Sequence, residues 1–137
     1  LIPLPLLEEV HQLTEEDCSR LGMSVIEPTL EELTEAASGG GKLSFQDHLC
    51  LNLARKGGLT CVTNDIRLRR ECAASGVRVL WGLEVMSELV AEFALPAEVA
   101  LTTATAIHEV NPRHITVEIL QRFEIRVRSL GHEREKE

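Results

Sequence analysis

Three acidic residues stand where predicted strands end or helices begin. Asp47 lies in the first turn of a predicted helix, Asp65 directly follows a short apolar run, and Glu9 lies near the start of the chain. Carboxylates held together repel one another, and hard cations such as Mg²⁺ or Mn²⁺ relieve that repulsion. Such a site can activate water for attack on a phosphodiester. Glu9, Asp47 and Asp65 are therefore the candidate metal ligands and catalytic residues.

Each acid also has a purely structural interpretation. Ser44 and Asp47 have capping-box spacing, although Glu or Gln is the preferred residue at the third position. Asp65 is a natural N-cap for the helix predicted after it. In the structural interpretation, Glu8 and Glu9 are solvent-exposed residues of a short first helix. Residue types and spacing leave both interpretations open.

Polar and basic residues flank Asp65 on both sides. Thr63 and Asn64 precede it, and they either orient the loop and a substrate phosphate or form a plain turn. A basic cluster follows, and it either contacts phosphate or is a solvated helix face. This cluster consists of Arg67, Arg69 and Arg70. We take Thr63, Asn64 and Arg67 as the candidate substrate-binding residues.

Alternating strands and helices position these residues. Apolar residues recur at helical spacing in residues 45–57, Gly57 and Gly58 end that helix, and residues 59–63 form an apolar strand-like run. This alternation predicts a parallel sheet with helices on both faces, and acids at the carboxyl ends of its strands. The predicted strands are 23–27, 59–63 and 77–81, with residues 1–4 compatible with the tail of a further strand, and the predicted helices are 5–12, 14–21, 30–37, 45–57, 66–75, 83–93, 96–108 and 115–128.

Two loops complete this organisation. Residues 38–42, SGGGK, are a flexible connection that lacks the spacing of a phosphate-binding P-loop. Residues 131–137, GHEREKE, are a charged tail that we expect to fray. The helices after Pro96 are interpreted as a C-terminal appendage.

Composition narrows the function classes. The 137 residues predict one domain, and the 44% of hydrophobic residues suffice for a core. Aromatic residues make up only 3%, which argues against a base-stacking platform for single-stranded nucleic acid. A net charge of −8 argues against phosphate tracking by the whole surface. A small site in which metal ions supply positive charge remains compatible with these numbers.

The cysteines and the N-terminal residues bear on the cellular compartment in which the protein is expected. The four cysteines contain no C-x-x-C pair, so we predict free thiols in a reducing cytoplasm. The five histidines lack zinc-hydrolase spacing. The start, LIPLPLL, is neither a signal peptide nor a membrane span, so no membrane partner is predicted.

Residues 3–90 resemble the PIN-domain nuclease family, which includes VapC-type toxins. The matching pieces are the S-F-x-D-x-L-x-L-x-L-A helix at 44–54, the V-T-N-D strand end at 62–65, the L-R-R helix at 68–70 and the run from Gly76 to Leu83. PLLEEV at 5–10 is a fainter match to the early helix of the family. The two central motifs carry the resemblance through their combination and spacing.

The resemblance implies a three-layer α/β/α fold with a central parallel sheet, here with extra C-terminal helices, and metal-dependent cleavage of RNA. Residues 1–95 correspond to the nuclease domain and residues 96–137 to the helical extension. The family's acids map onto Glu9, Asp47 and Asp65, which would hold Mg²⁺ or Mn²⁺; Glu8 is the less favoured match for the acid of the early helix. A toxin of this kind implies an antitoxin protein as partner, and an isologous homodimer is compatible with it.

One departure concerns the first acid of the family, an Asp at the end of the first strand. No segment matches it, and the chain begins with Leu rather than Met. We infer that the sequence is a fragment or that its first element is atypical. Two competing hypotheses therefore stay open. One is a catalytically inactive PIN-like binding or scaffold module, and the other is an unrelated doubly wound α/β domain whose acids only cap helices.

Overall fold

The structure is a computed structural model that describes residues 1–134, with side chains described through residue 131. Within these residues it contains four short strands separated by one or two helices, with three helices after the last strand. The strands are β1 (Ile2–Pro3), β2 (Val25–Ile26), β3 (Cys61–Val62) and β4 (Val79–Leu80). The helices are α1 (Leu4–Leu7), α2 (Glu15–Arg20), α3 (Leu30–Ala37), α4 (Phe45–Gly57), α5 (Ile66–Ala74), α6 (Gly82–Ala91), α7 (Ala97–Val110) and α8 (Val117–Arg134).

The strands pair in parallel, as predicted. In one two-stranded sheet Ile2 of β1 lies opposite Val25 of β2. In the other, β3 pairs with β4, and the Thr63 amide donates to the Leu80 carbonyl at 3.0 Å. The chain is thus rich in helix, with two small parallel sheets, and is compatible with an α/β fold. The three-layer arrangement around one central sheet stays a prediction.

Contacts divide the chain into two compact units. The first comprises Leu1–Cys61 and Asp65–Val79, and the second comprises Val62–Asn64 and the chain from Leu80 onward. Helix α6 packs with α7 and α8 in the second unit, although it precedes the boundary predicted near residue 95. That predicted boundary remains untested as a domain limit.

Helix α4 organises the first unit. The Ser44 side chain caps its start, and Gly58 ends it in the left-handed conformation with φ of 60°. A glycine adopts this conformation without the steric cost that a Cβ brings. The helix packs against α3 and α5. The buried cluster of this unit consists of Leu51, Ala54, Cys61, Leu68, Cys72 and Val77.

The second unit has a helical core of its own. Helices α6, α7 and α8 pack on one another, because each has an apolar stripe to bury. The buried cluster consists of Leu83, Val90, Ala100, Ala104, Ile115, Phe123 and Val127. Within the described residues, no helix is long and apolar enough to cross a membrane.

The ends of the chain differ from the prediction. The first helix stops at Leu7, whereas the sequence predicted helix through residue 12. Residues 8–12 are all exposed, so a longer helix would have no face to bury. Instead the Val10 amide donates to the Leu7 carbonyl at 3.0 Å in a tight turn, and Glu8 and Glu9 lie in this region. Helix α8 extends to Arg134, and the rest of the predicted frayed tail lies outside the described residues.

Candidate active site

Asp47 lies in the first turn of α4 and completes a capping box. Its backbone amide donates to Ser44 Oγ at 3.1 Å, and the Ser44 amide donates to Asp47 Oδ2 at 3.2 Å. These bonds satisfy two amides that a helix start otherwise leaves without partners. The structural interpretation of Asp47 is therefore confirmed. The capping bond involves one carboxylate oxygen and fixes the direction of the group.

Asp65 caps α5, also as predicted, and lies three residues after the end of β3. Its Oδ1 accepts hydrogen bonds from the amides of Arg67 at 2.7 Å and Leu68 at 3.0 Å. The residue is exposed. A carboxylate at a helix start also interacts favourably with the positive end of the helix dipole. Asp65 thus has a local structural role and remains accessible to solvent.

Glu9 is linked to the start of α4 through a residue that the sequence analysis did not single out. Gln46 Nε2 donates a hydrogen bond to Glu9 Oε1, although the two residues are 37 positions apart in the chain. Gln46 directly precedes Asp47. The bond therefore brings the turn after α1 to the helical turn that carries Asp47. Sequence spacing contained no signal for this contact, because it depends on how two distant segments pack.

The two polar residues before Asp65 take structural positions in the second unit. Asn64 Oδ1 accepts from the Gly82 amide at 3.0 Å and so connects the end of β3 to the start of α6. The Thr63 amide belongs to the β3–β4 ladder. Both residues lie in the connection between β3 and α5, and the predicted turn is not assigned there. Their predicted contact with substrate is not tested by these bonds.

The thiols near α4 are neutral and packed. Burial raises the pKa of the Cys50 thiol to about 11, and the negative charge of Asp47 adds to the effect. Burial likewise raises the pKa of Cys61 to about 12. All four cysteines are free, as predicted, and Cys18, Cys61 and Cys72 are buried. A thiol is a nucleophile only as the thiolate, so Cys50 and Cys61 act as small apolar side chains near neutral pH.

The three acids provide hard oxygen atoms, which are the donors that Mg²⁺ and Mn²⁺ prefer. Within the described residues, however, no three Asp, Glu, His or Cys side chains form a group that could hold a metal ion. Glu9 is hydrogen-bonded to Gln46, and Asp47 and Asp65 each cap a helix. The acids do not form a complete metal centre in this arrangement, and their assignment as ligands stays a prediction.

Comparisons with known proteins identified no related protein. No family model matches the chain, and neither a curated protein nor a solved structure matches it.

Proposed function

We propose that this chain is a metal-dependent endoribonuclease with the three-layer fold of the PIN-domain family, acting in the cytoplasm as the toxin of a toxin–antitoxin pair. Glu9, Asp47 and Asp65 are the proposed ligands of Mg²⁺ or Mn²⁺. Such a cation, when bound, supplies positive charge against the acids and the phosphodiester. Thr63, Asn64 and Arg67 are the proposed RNA contacts.

One structural observation supports the proposal. The hydrogen bond from Gln46 to Glu9 links the first candidate acid to the helical turn of the second. This contact brings together two segments that are 37 positions apart in the chain. The motif set around Asp47 and Asp65 supplies the remaining support. An antitoxin protein and a second copy of the chain are the partners that this proposal implies.

The capping bonds are compatible with a functional role for the two aspartates. Each bond holds a carboxylate in one direction before any ligand arrives, which lowers the conformational cost of binding. Asp47 is half-buried beside its cap, and Asp65 is exposed at the start of α5. The same side chains can therefore begin a helix and face a bound cation.

The decisive experiment is RNA cleavage by Asp47→Asn and Asp65→Asn. An Asn side-chain oxygen can still accept the capping bond, so both variants are expected to fold, as judged by circular dichroism. We expect Mn²⁺-dependent cleavage of single-stranded RNA to fall by about 100-fold or more, because each variant loses a charged ligand. Asp17→Asn is the matched control, since Asp17 occupies the same position of the capping box at α2.

The outcomes separate the hypotheses. Full activity in a correctly folded Asp47→Asn protein would refute its assignment. A parent chain that folds but cleaves no RNA would favour the second candidate, a catalytically inactive PIN-like binding or scaffold module. The capping bonds of Asp47 and Asp65 favour that candidate, because they account for both acids without a cation.

A further inference from the structure

A second feature of the first unit is a basic pocket of about 400 Å³. We call it the glycine-loop pocket, because the loop 40–42 forms one wall. Helix α4 contributes His48, and α5 contributes Arg67 and Arg70. The pocket therefore brings together two segments that the sequence analysis treated separately, the SGGGK connection and the arginine cluster after Asp65.

The packing and the backbone conformation of this loop explain two of its glycines, Gly39 and Gly41. The His48 ring lies so close to Gly39 that a Cβ added there would stand 2.6 Å from it, which no folded structure accommodates without a shift. His48 Nε2 is also 3.1 Å from the Gly40 carbonyl oxygen, within hydrogen-bonding distance. Gly41 adopts φ of +88°, which side chains rarely allow. The loop thus contacts α4 through His48, and its flexibility stays a prediction.

The charge of the pocket is opposite to that of the whole chain. Lys42, Arg67 and Arg70 contribute three cations, and Glu71 contributes one carboxylate. Within the part of the chain with described side chains, none of the three cations forms an ion pair. On a protein with a net charge of −8, exposed cations gathered around a cavity attract an anion.

We propose that the glycine-loop pocket binds a backbone phosphate of single-stranded RNA next to the bond that is cut. This inference rests on the proposed function. Arginine side chains present planar forks that match phosphate oxygens, and lysine adds a compact charge. His48 directly follows Asp47, and Arg67 lies two residues after Asp65, so the pocket uses the same helix starts as the two acids.

The first test measures RNA binding without cleavage. The probe is a short fluorescein-labelled single-stranded RNA, titrated in EDTA and followed by fluorescence anisotropy at several salt concentrations. We expect Lys42→Gln and Arg70→Gln each to weaken binding about threefold to tenfold. Each lost phosphate contact should also reduce the slope of log K against log salt by about 0.7. Arg113→Gln is the control, because it removes one exposed positive charge that does not line the pocket.

The second test uses the glycines. Gly39→Ala should weaken RNA binding, because the added methyl group displaces the His48 ring. Gly131→Ala should leave binding unchanged, since a Cβ there meets no atom within 4 Å and Gly131 does not line the pocket. Thermal unfolding of both variants separates loss of the pocket from loss of the fold. If Gly39→Ala fails to fold, the two charge variants still decide the question.

The outcomes distinguish this inference from the proposed function. Binding that depends on Lys42 and Arg70 in a parent that does not cleave RNA would support the pocket and refute the nuclease. Cleavage by a parent whose affinity is unchanged in both charge variants would refute the pocket alone. Tighter binding of an acidic peptide than of RNA at the same salt would also overturn it.

Discussion

Two capping boxes in the first unit have nearly the same local geometry. At α2, the Thr14 amide donates to Asp17 Oδ2 at 3.0 Å, and the Asp17 amide donates to Thr14 Oγ1 at 3.1 Å. At α4, the corresponding bonds between Ser44 and Asp47 are 3.2 and 3.1 Å. The sequence pattern and the hydrogen bonds are equivalent. Any functional difference between the two aspartates must therefore come from their surroundings.

The surroundings of the two aspartates differ in their neighbouring charges and in their contacts with distant parts of the chain. Asp17 has a cation of its own, because the Arg20 guanidinium donates to its Oδ1. Among the residues with described side chains, no Lys or Arg forms an ion pair with Asp47. The residue before Asp47 instead contacts Glu9, a second acid. The capping box alone therefore does not distinguish Asp47 from Asp17. Over the residues whose side chains are described, the neighbouring Glu9 contact and the lack of an ion pair distinguish Asp47.

Metal binding should give the largest difference between the two boxes. We expect isothermal calorimetry to detect Mn²⁺ binding by the parent, with affinity reduced about 100-fold or more in Asp47→Asn, because a charged ligand is lost. Asp17→Asn should retain the parent affinity, since Arg20 already neutralises that carboxylate. Equal affinities in the two variants would remove the distinction drawn between the boxes.

Loss of the capping hydroxyl should have a smaller and equal effect on stability. Thr14→Ala and Ser44→Ala are each expected to lower the free energy of unfolding by about 1 kcal/mol, because each exposes an unsatisfied helix amide. Urea denaturation measures this loss. Only Ser44→Ala should also reduce RNA cleavage, because without the Ser44 hydroxyl the Asp47 backbone loses its capping bond and the orientation of the carboxylate is less fixed. A reduction of cleavage by Thr14→Ala would contradict this separation of roles.

Acid pH should give the smallest difference, and it concerns Asp17. Hydrogen bonds from Thr14, with a smaller contribution from Arg20, hold the pKa of the Asp17 carboxyl below its usual range. The folded state therefore favours the carboxylate, and the associated stability is present above the unfolded pKa of about 3.9. It is lost as the pH falls through the lower folded pKa.

Urea unfolding at a series of acidic pH values checks this expectation. Asp17→Asn cannot titrate, so its free energy of unfolding should depend less on pH than that of the parent below about pH 4. An identical dependence in the parent and in Asp17→Asn would show that this capping bond does not contribute to acid stability.

The sequence by itself indicated the helix starts and the residues able to cap them. Thr14, Thr29, Ser44 and Asp65 all cap the helices that the sequence predicted. Gly58 ends α4 in the left-handed conformation as expected. These features were predictable because each depends on side chains within three or four residues of the backbone groups that they satisfy. The parallel direction of the strands followed from their alternation with helices.

Only the tertiary structure decided which distant segments meet. The contact between Gln46 and Glu9, and the contact of the SGGGK loop with His48, have no signal in sequence spacing. Hydrophobic periodicity also overestimated the strands, which are two residues long. Such features depend on packing between segments far apart in the chain, and packing overrides local preference wherever the two differ. The sequence therefore specifies which residue types form the acidic candidates and the basic pocket. The fold decides where in the molecule these residues meet.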